Sequence, residues 1–266
     1  MSRFKNKTVL VTGAGRGLGA ALCRQFGKAG AFIAGCDLNQ TDLDGLSQEL
    51  TSMGIEHHLG ICDVSKEDQV NAFFKSVHAK GKTIDVLINN AGVTNIKKFE
   101  NTTNDEIKKV MDINFNGSLY CTRAAYHDIV QNKGSFVAIS SVAGFAPLYG
   151  RTGYAASKHA VLGFFETLRS ELKEKDVHVL VVCPGFVATN LRDDFYKKGE
   201  DIENTNLKVG NNASPDEVAS MIYNATVKKE TMLVTGIGKV SFLLKRFVPK
   251  IYEHLMINKM KAGLVE

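Results

Sequence analysis

What most constrains this chain is an alternation that runs through most of its length. Short, apolar, β-branched runs at 8–12, 32–36, 57–61, 86–89, 135–140, 177–183 and 232–235 are separated by longer amphipathic stretches. Those stretches fall at 17–29, 40–53, 66–80, 104–131, 154–174 and 215–228. Strand, helix, strand repeated in this way predicts an α/β fold: a doubly wound parallel sheet of about seven strands with helices on both faces. No short-period repeat, low-complexity tract or Pro/Gly/Ser linker divides it, so one domain over 1–266 is expected. Sheets of this kind bind ligands beyond the carboxyl ends of their strands, near the point where strand order reverses. Chemistry-bearing residues should therefore lie just after strands.

Composition narrows the classes. A hydrophobic content of 44% and a charged content of 23% in 266 residues suit a folded chain with a sizeable core. The longest apolar runs fall far short of the roughly 18 residues of a membrane span. The opening residues 1–6 lack the apolar stretch of a secretory signal, and the mature chain is expected to begin there. Five scattered cysteines without a Cys-x-x-Cys pair point to reduced thiols in a reducing, cytoplasmic setting. The histidines show no metal-ligand spacing, and His57-His58 would diverge on a strand, so no metal site is expected. Between Lys239 and Lys261 six basic residues face one acid, Glu253, a surplus equal to the whole formal charge of +5. The rest is neutral overall, which argues against a general nucleic-acid surface.

Directly after the first predicted strand stands Thr12-Gly13-Ala14-Gly15-Arg16-Gly17-Leu18-Gly19, and a helix follows. Glycines let the backbone approach a pyrophosphate, and free amides at a helix start supply donors and partial positive charge. Read from Gly13 as G-x-G-x-x-G the run breaks at Leu18, whereas Thr-Gly-x-x-x-Gly-x-Gly fits. Thr12, Gly13, Gly17 and Gly19 resemble the cofactor turn of the short-chain dehydrogenase/reductase family, which implies a Rossmann-like fold and a nicotinamide dinucleotide. Asp37 closes the second strand where a carboxylate would accept from an adenosine ribose diol and repel a 2′-phosphate. Arg16 pulls the other way, since a guanidinium could pair with that phosphate. NAD is favoured, with NADP as the alternative. Asn39 and Thr41 are better placed than Asp37 to cap the following helix.

The resemblance extends along the chain. It places Asp63, in Cys62-Asp63-Val64, on the adenine amine, with simple capping of the helix after Ser65 as the plain alternative. Asn89-Asn90-Ala91-Gly92 matches the run that stabilises the central sheet and lines the cofactor trough, with Asn89 read as structural and 90–92 as cofactor-adjacent. Pro184-Gly185 with Thr189 resembles the nicotinamide clamp, a rigid turn with a hydroxyl being the plain alternative. Leu18, Val64 and Val187 are counted among the cofactor contacts with these.

Tyr154 and Lys158 lie four residues apart and share one face of a predicted helix. A neighbouring ammonium lowers the pKa of a phenol, ordinarily roughly 10, and lets it exchange protons near neutrality. The spacing alone is common on surface helices. In the family a serine thirteen residues before this tyrosine holds the substrate oxygen, which selects Ser141 over Ser140. Asn114 matches the family's helix asparagine, whose implied role is to hold a water linking Lys158 to solvent. The implied catalytic set is Asn114, Ser141, Tyr154 and Lys158, with Tyr154 as general acid/base for hydride exchange with an alcohol or ketone. Tyr154 and Lys158 also count as cofactor contacts.

The polar segment 186–213 reads as a flap over the substrate, faced by Phe145, Pro147, Leu148 and Tyr149, which favours an apolar alcohol or ketone. Residues 239–262 form a basic amphipathic segment that Pro249 should kink or interrupt. Packing on the substrate pocket or on a second subunit is one reading; peripheral contact with an anionic membrane is the other. Retinoid, steroid or acyl-chain substrates follow from this segment, reduction of a carrier-bound 3-oxoacyl group is the alternative, and a non-catalytic cofactor sensor is an alternative of another class. The resemblance implies a homodimer or homotetramer.

Overall fold

The computed structural model describes residues 3–185 and 213–261. In chain order the elements are β1 (Thr8–Thr12), α1 (Gly17–Lys28), β2 (Phe32–Asp37), α2 (Gln40–Ser52), β3 (His57–Ile61), α3 (Glu67–His78) and β4 (Val86–Asn89). They continue with α4 (Asn104–Met111), α5 (Gly117–Gln131), β5 (Ser135–Ile139), α6 (Thr152–Glu171), β6 (His178–Cys183), α7 (Pro215–Val227), β7 (Met232–Val234), α8 (Gly238–Phe247) and α9 (Pro249–Lys261). The seven strands form one sheet in the order β3-β2-β1-β4-β5-β6-β7, every pairing parallel. The order reverses between β1 and β4, and the loops after those strands carry the glycine turn and Asn90.

Side-chain alternation along the strands builds a core on each face. Val9, Val11, Ile33, Ile88, Val137 and Leu180 point to the side covered by α1 and α7. Leu10, Ala34, Leu87, Phe136, Val179 and Val181 point to the side covered by α3, α5 and α6. The helix starts are encoded locally. Asn39 caps α2 by accepting from the Asp42 amide, as expected, while Thr103 and Ser214 close capping boxes with Glu106 and Glu217.

One predicted helix is not continuous. The stretch 104–131 is broken by a π-helical segment at Asp112–Asn116, so α4 and α5 are separate. The extra residue per turn brings Asn114 inward, where its Oδ1 accepts from the Val93 amide at 2.8 Å and its Nδ2 donates to the Val93 carbonyl at 3.0 Å. Those long-range bonds reward the local distortion. Pro249 divides the C-terminal segment into two helices and takes the first position of α9, where its missing amide costs nothing. No described helix is long and apolar enough to cross a membrane.

Candidate active site

The glycine turn sits at the sheet's switch point. Gly13 has φ +63° and Gly17 φ +54°, a region that favours glycine, and a Cβ on Gly13 would approach the Ala91 Cα to 2.9 Å. A side chain at Gly19 would run into the Gly13 carbonyl, so α1 starts hard against the turn. Thr12 and Asn90 lock the two loops together. The Thr12 hydroxyl accepts from the Asn90 and Ala91 amides, both at 3.0 Å, and Asn90 Nδ2 donates to the carbonyls of Thr12 and Gly13. Asn89, by contrast, donates to the Thr122 hydroxyl at 3.1 Å from within the core.

This turn fits a dinucleotide. The residue before α1, Arg16, places no side-chain cap on its amides, and the first turn holds no acid. The start of α1 therefore presents donors and dipole charge suited to a pyrophosphate. Asp37 lies beside it: one carboxylate oxygen accepts from the Gly15 amide at 2.9 Å, the other from the Leu38 amide at 2.7 Å. Arg16 is drawn toward Asp42, its Nε 3.9 Å from the carboxylate. Asp63 turns one oxygen onto Ser65, accepting from its amide at 2.9 Å and its hydroxyl at 2.7 Å, and so organises the loop before α3. Val64 is buried, and a Cβ on Gly117 at the start of α5 would come within 2.7 Å of it. Leu18 is buried in the core beneath the turn.

The chemical end forms where β5 and β6 meet α6. Ser141 follows β5, and its Oγ accepts from the Ala143 amide at 3.1 Å. That bond occupies a lone pair of the hydroxyl, whose interaction with the Tyr154 phenol lowers the phenol's pKa against the larger effect of burial. Ser140 faces the packing side, as alternation requires, and donates to the Lys158 carbonyl at 2.9 Å. Lys158 is 4% exposed, and its Nζ donates to the Ile139 carbonyl at 2.8 Å and lies 5.8 Å from the Tyr154 ring centre. Burial lowers the Lys158 pKa to about 8.

Two features correct the expectation drawn from the sequence. The Tyr154 phenol is not lowered overall: burial raises its pKa, and the Ser141 hydrogen bond and then the Arg151 guanidinium pull it part of the way back. Arg151, absent from the predicted set, lies 6.0 Å from the Tyr154 ring centre. It precedes the first residue of α6 with a non-helical backbone, φ -139° and ψ 41°, so helical spacing could not have brought it to Tyr154 in a reading of the sequence.

Asn114 acts as a clamp. Besides holding Val93, its Nδ2 donates to the Ser157 hydroxyl at 2.9 Å, and Ser157 in turn donates to the Tyr154 carbonyl at 2.8 Å. The chain that follows β4 and the helix bearing Tyr154 are thereby tied through one amide. A Cβ at Gly92 would come within 3.1 Å of Asn114 Oδ1 and 3.4 Å of Lys158 Nζ, so this corner leaves little room for a side chain.

At the end of β6 the Pro184 carbonyl accepts from the Val142 amide at 3.3 Å, and the Gly185 amide donates to the Thr235 hydroxyl at 3.2 Å. Val187, Thr189 and the flap residues 186–212 lie outside the described residues.

Residues 7–200 match the family model described as short chain dehydrogenase. The chain belongs to the short-chain dehydrogenase family. It is thus an oxidoreductase that uses a nicotinamide dinucleotide, NAD or NADP, to act on alcohols and carbonyls. It is 31% identical to the dehydrogenase/reductase SDR family member 7B of Rattus norvegicus, over 97% of this chain and 82% of that one. It is also 31% identical to the 3-oxoacyl-[acyl-carrier-protein] reductase FabG of Thermotoga maritima, over 88% of this chain and 95% of that one. A solved short-chain dehydrogenase/reductase from Burkholderia phymatum, in complex with NAD, has the same fold at a TM-score of 0.84 and 24% identity, covering 94% of this chain and 96% of that one.

Proposed function

We propose that this member of the family interconverts a lipophilic secondary alcohol and its ketone with NAD(H), using Tyr154 as general acid/base. The observation that carries the reading is the buried Lys158 ammonium, held on the Ile139 carbonyl at 2.8 Å with its Nζ 5.8 Å from the Tyr154 ring centre. The bound nicotinamide supplies or takes the hydride. In reduction Tyr154 gives its phenolic proton to the substrate oxygen as charge develops there, and Ser141 donates to the same oxygen. Lys158, with a pKa of about 8, is poised to return the proton to Tyr154 near neutral pH and to donate toward the nicotinamide ribose. Asn114 holds the clamp with its side chain, so a water relay to Lys158 falls to its main-chain carbonyl, which takes the Ser118 hydroxyl at 2.8 Å on one lone pair.

Gly13, Gly17 and Gly19 with the start of α1 would hold the pyrophosphate, Asp37 the adenosine ribose, Asp63 and Val64 the adenine, and 90–92 with Pro184, Gly185, Val187 and Thr189 the nicotinamide side. Asp37 beside the Gly15 amide, with Arg16 turned to Asp42, supports NAD over NADP. The whole chain works as one catalytic domain with 186–213 as its flap. A cytoplasmic setting fits the five buried free thiols. Assembly as a dimer or tetramer and peripheral membrane contact through 239–262 complete the reading.

The likeness to the Thermotoga reductase favours a second substrate, a 3-oxoacyl group on a carrier. Assaying apolar ketones, apolar alcohols and a carrier-bound 3-oxoacyl thioester with NADH and NADPH separates the two. Turnover confined to the thioester would replace the first reading with the second.

A further inference from the structure

The pair α8–α9 has two unlike sides. Its inner side is joined to the segment after β5 that leads from Ser141 to α6. Tyr252 is buried and its hydroxyl donates to the Pro147 carbonyl at 3.1 Å, the Tyr149 amide lies 3.2 Å from the Met256 sulfur, and Phe242 meets Phe145 edge-on at 5.1 Å. Its outer side is apolar and exposed. Seven of the eleven exposed large apolar side chains among the described residues lie between Ile237 and Leu255. Val240, Leu243 and Phe247 share one face of α8, and Ile251 and Leu255 share one face of α9, with Phe247 72% exposed. Lys239, Arg246, Lys250 and Lys259 are exposed on the same two helices, and Glu253 is the only acid there.

We infer that α8–α9 docks on an anionic lipid bilayer and passes an apolar substrate from it to the cleft that its inner side walls. This deepens the proposed function and rests on it. Exposed apolar side chains flanked by lysine and arginine match the boundary between acyl chains and anionic headgroups, where each kind of group finds its partner. A symmetric contact with a second copy would set the whole positive surplus of the segment against itself. The remainder of the chain is neutral overall and offers no compensating excess of acid. Because one pair of helices both meets the lipid and packs on the 145–149 wall, a lipophilic ketone can reach the catalytic groups without crossing water.

The test uses the full chain, vesicles of phosphatidylcholine with or without phosphatidylserine, and a Leu243→Glu/Phe247→Glu double variant, with Met221→Glu on α7 as a control. The intact chain and the control should float with phosphatidylserine vesicles and be released by salt. The double variant should lose at least about tenfold in bound fraction, since two apolar anchors become charged. Its turnover of a water-soluble ketone should be unchanged, while turnover of a long-chain ketone carried in the vesicles falls. The inference is overturned by flotation of the double variant equal to that of the intact chain. Absence of flotation by the intact chain overturns it as well, and if the double variant is then a smaller oligomer, the face belongs to a second copy. Equal turnover of the vesicle-borne ketone by both forms would remove the passage of substrate. Turnover of the soluble ketone reports separately on the catalytic reading.

Discussion

Lys158 Nζ donates 2.8 Å to the carbonyl of Ile139, the last residue of β5. The bond fixes the ammonium at the strand end, yet a neutral carbonyl compensates only part of the hydration lost on burial. The pKa of about 8 against an ordinary 10.5 expresses that deficit. The unfolded chain holds this proton more firmly than the folded one. The cost to stability is therefore complete below about pH 8 and disappears as pH rises through the ordinary value.

Lys158→Met should be more stable than the native chain at pH 7, by on the order of 2 kcal/mol, with no activity. The advantage should shrink as pH is raised toward 10.5, the ordinary value. Urea unfolding of both proteins at neutral and alkaline pH checks this. A variant less stable than the native chain at pH 7 would mean that the ammonium is not a burden on the fold.

Arg151→Leu removes a positive charge beside a phenol whose pKa burial already raises. The pH dependence of alcohol oxidation, which needs the deprotonated phenol, should move to higher pH, while Arg151→Lys should move it less. An unmoved profile in Arg151→Leu would show that the guanidinium does not act on Tyr154.

Asp37→Ala deletes the carboxylate that accepts from the Gly15 amide and that the proposed function assigns to the adenosine ribose. NADH should bind about tenfold to a hundredfold more weakly, the range expected for a lost hydrogen bond to a charged group. NADPH should be affected less, and titration with both cofactors gives the ratio. An unchanged ratio would count against the NAD preference.

How far the sequence carried can be judged at particular residues. The strand runs and the glycine turn were legible because each depends on neighbours in the chain: alternation for the core, glycine at Gly13 and Gly17, Asn39 before α2. The π-helical break at Asp112–Asn116 was not legible, because Asn114 is drawn inward by Val93 and Ser157, partners 21 and 43 residues away. Pro249 announced the division of the C-terminal segment. The side that packs was set by Pro147 and Tyr149, more than a hundred residues distant, so helical periodicity could not assign it. The direction of the Tyr154 shift depended on burial, which a four-residue spacing does not report.

The most direct test is the single-turnover rate of Tyr154→Phe with a reducible ketone. The substitution removes one hydroxyl and leaves the Lys158 contact to Ile139 in place. NADH should bind within about twofold of the native affinity, while hydride transfer falls by about 10² to 10⁴, the usual contribution of a general acid. A variant that reduces the ketone at a rate comparable to the native chain would contradict the assignment of Tyr154 as the proton donor.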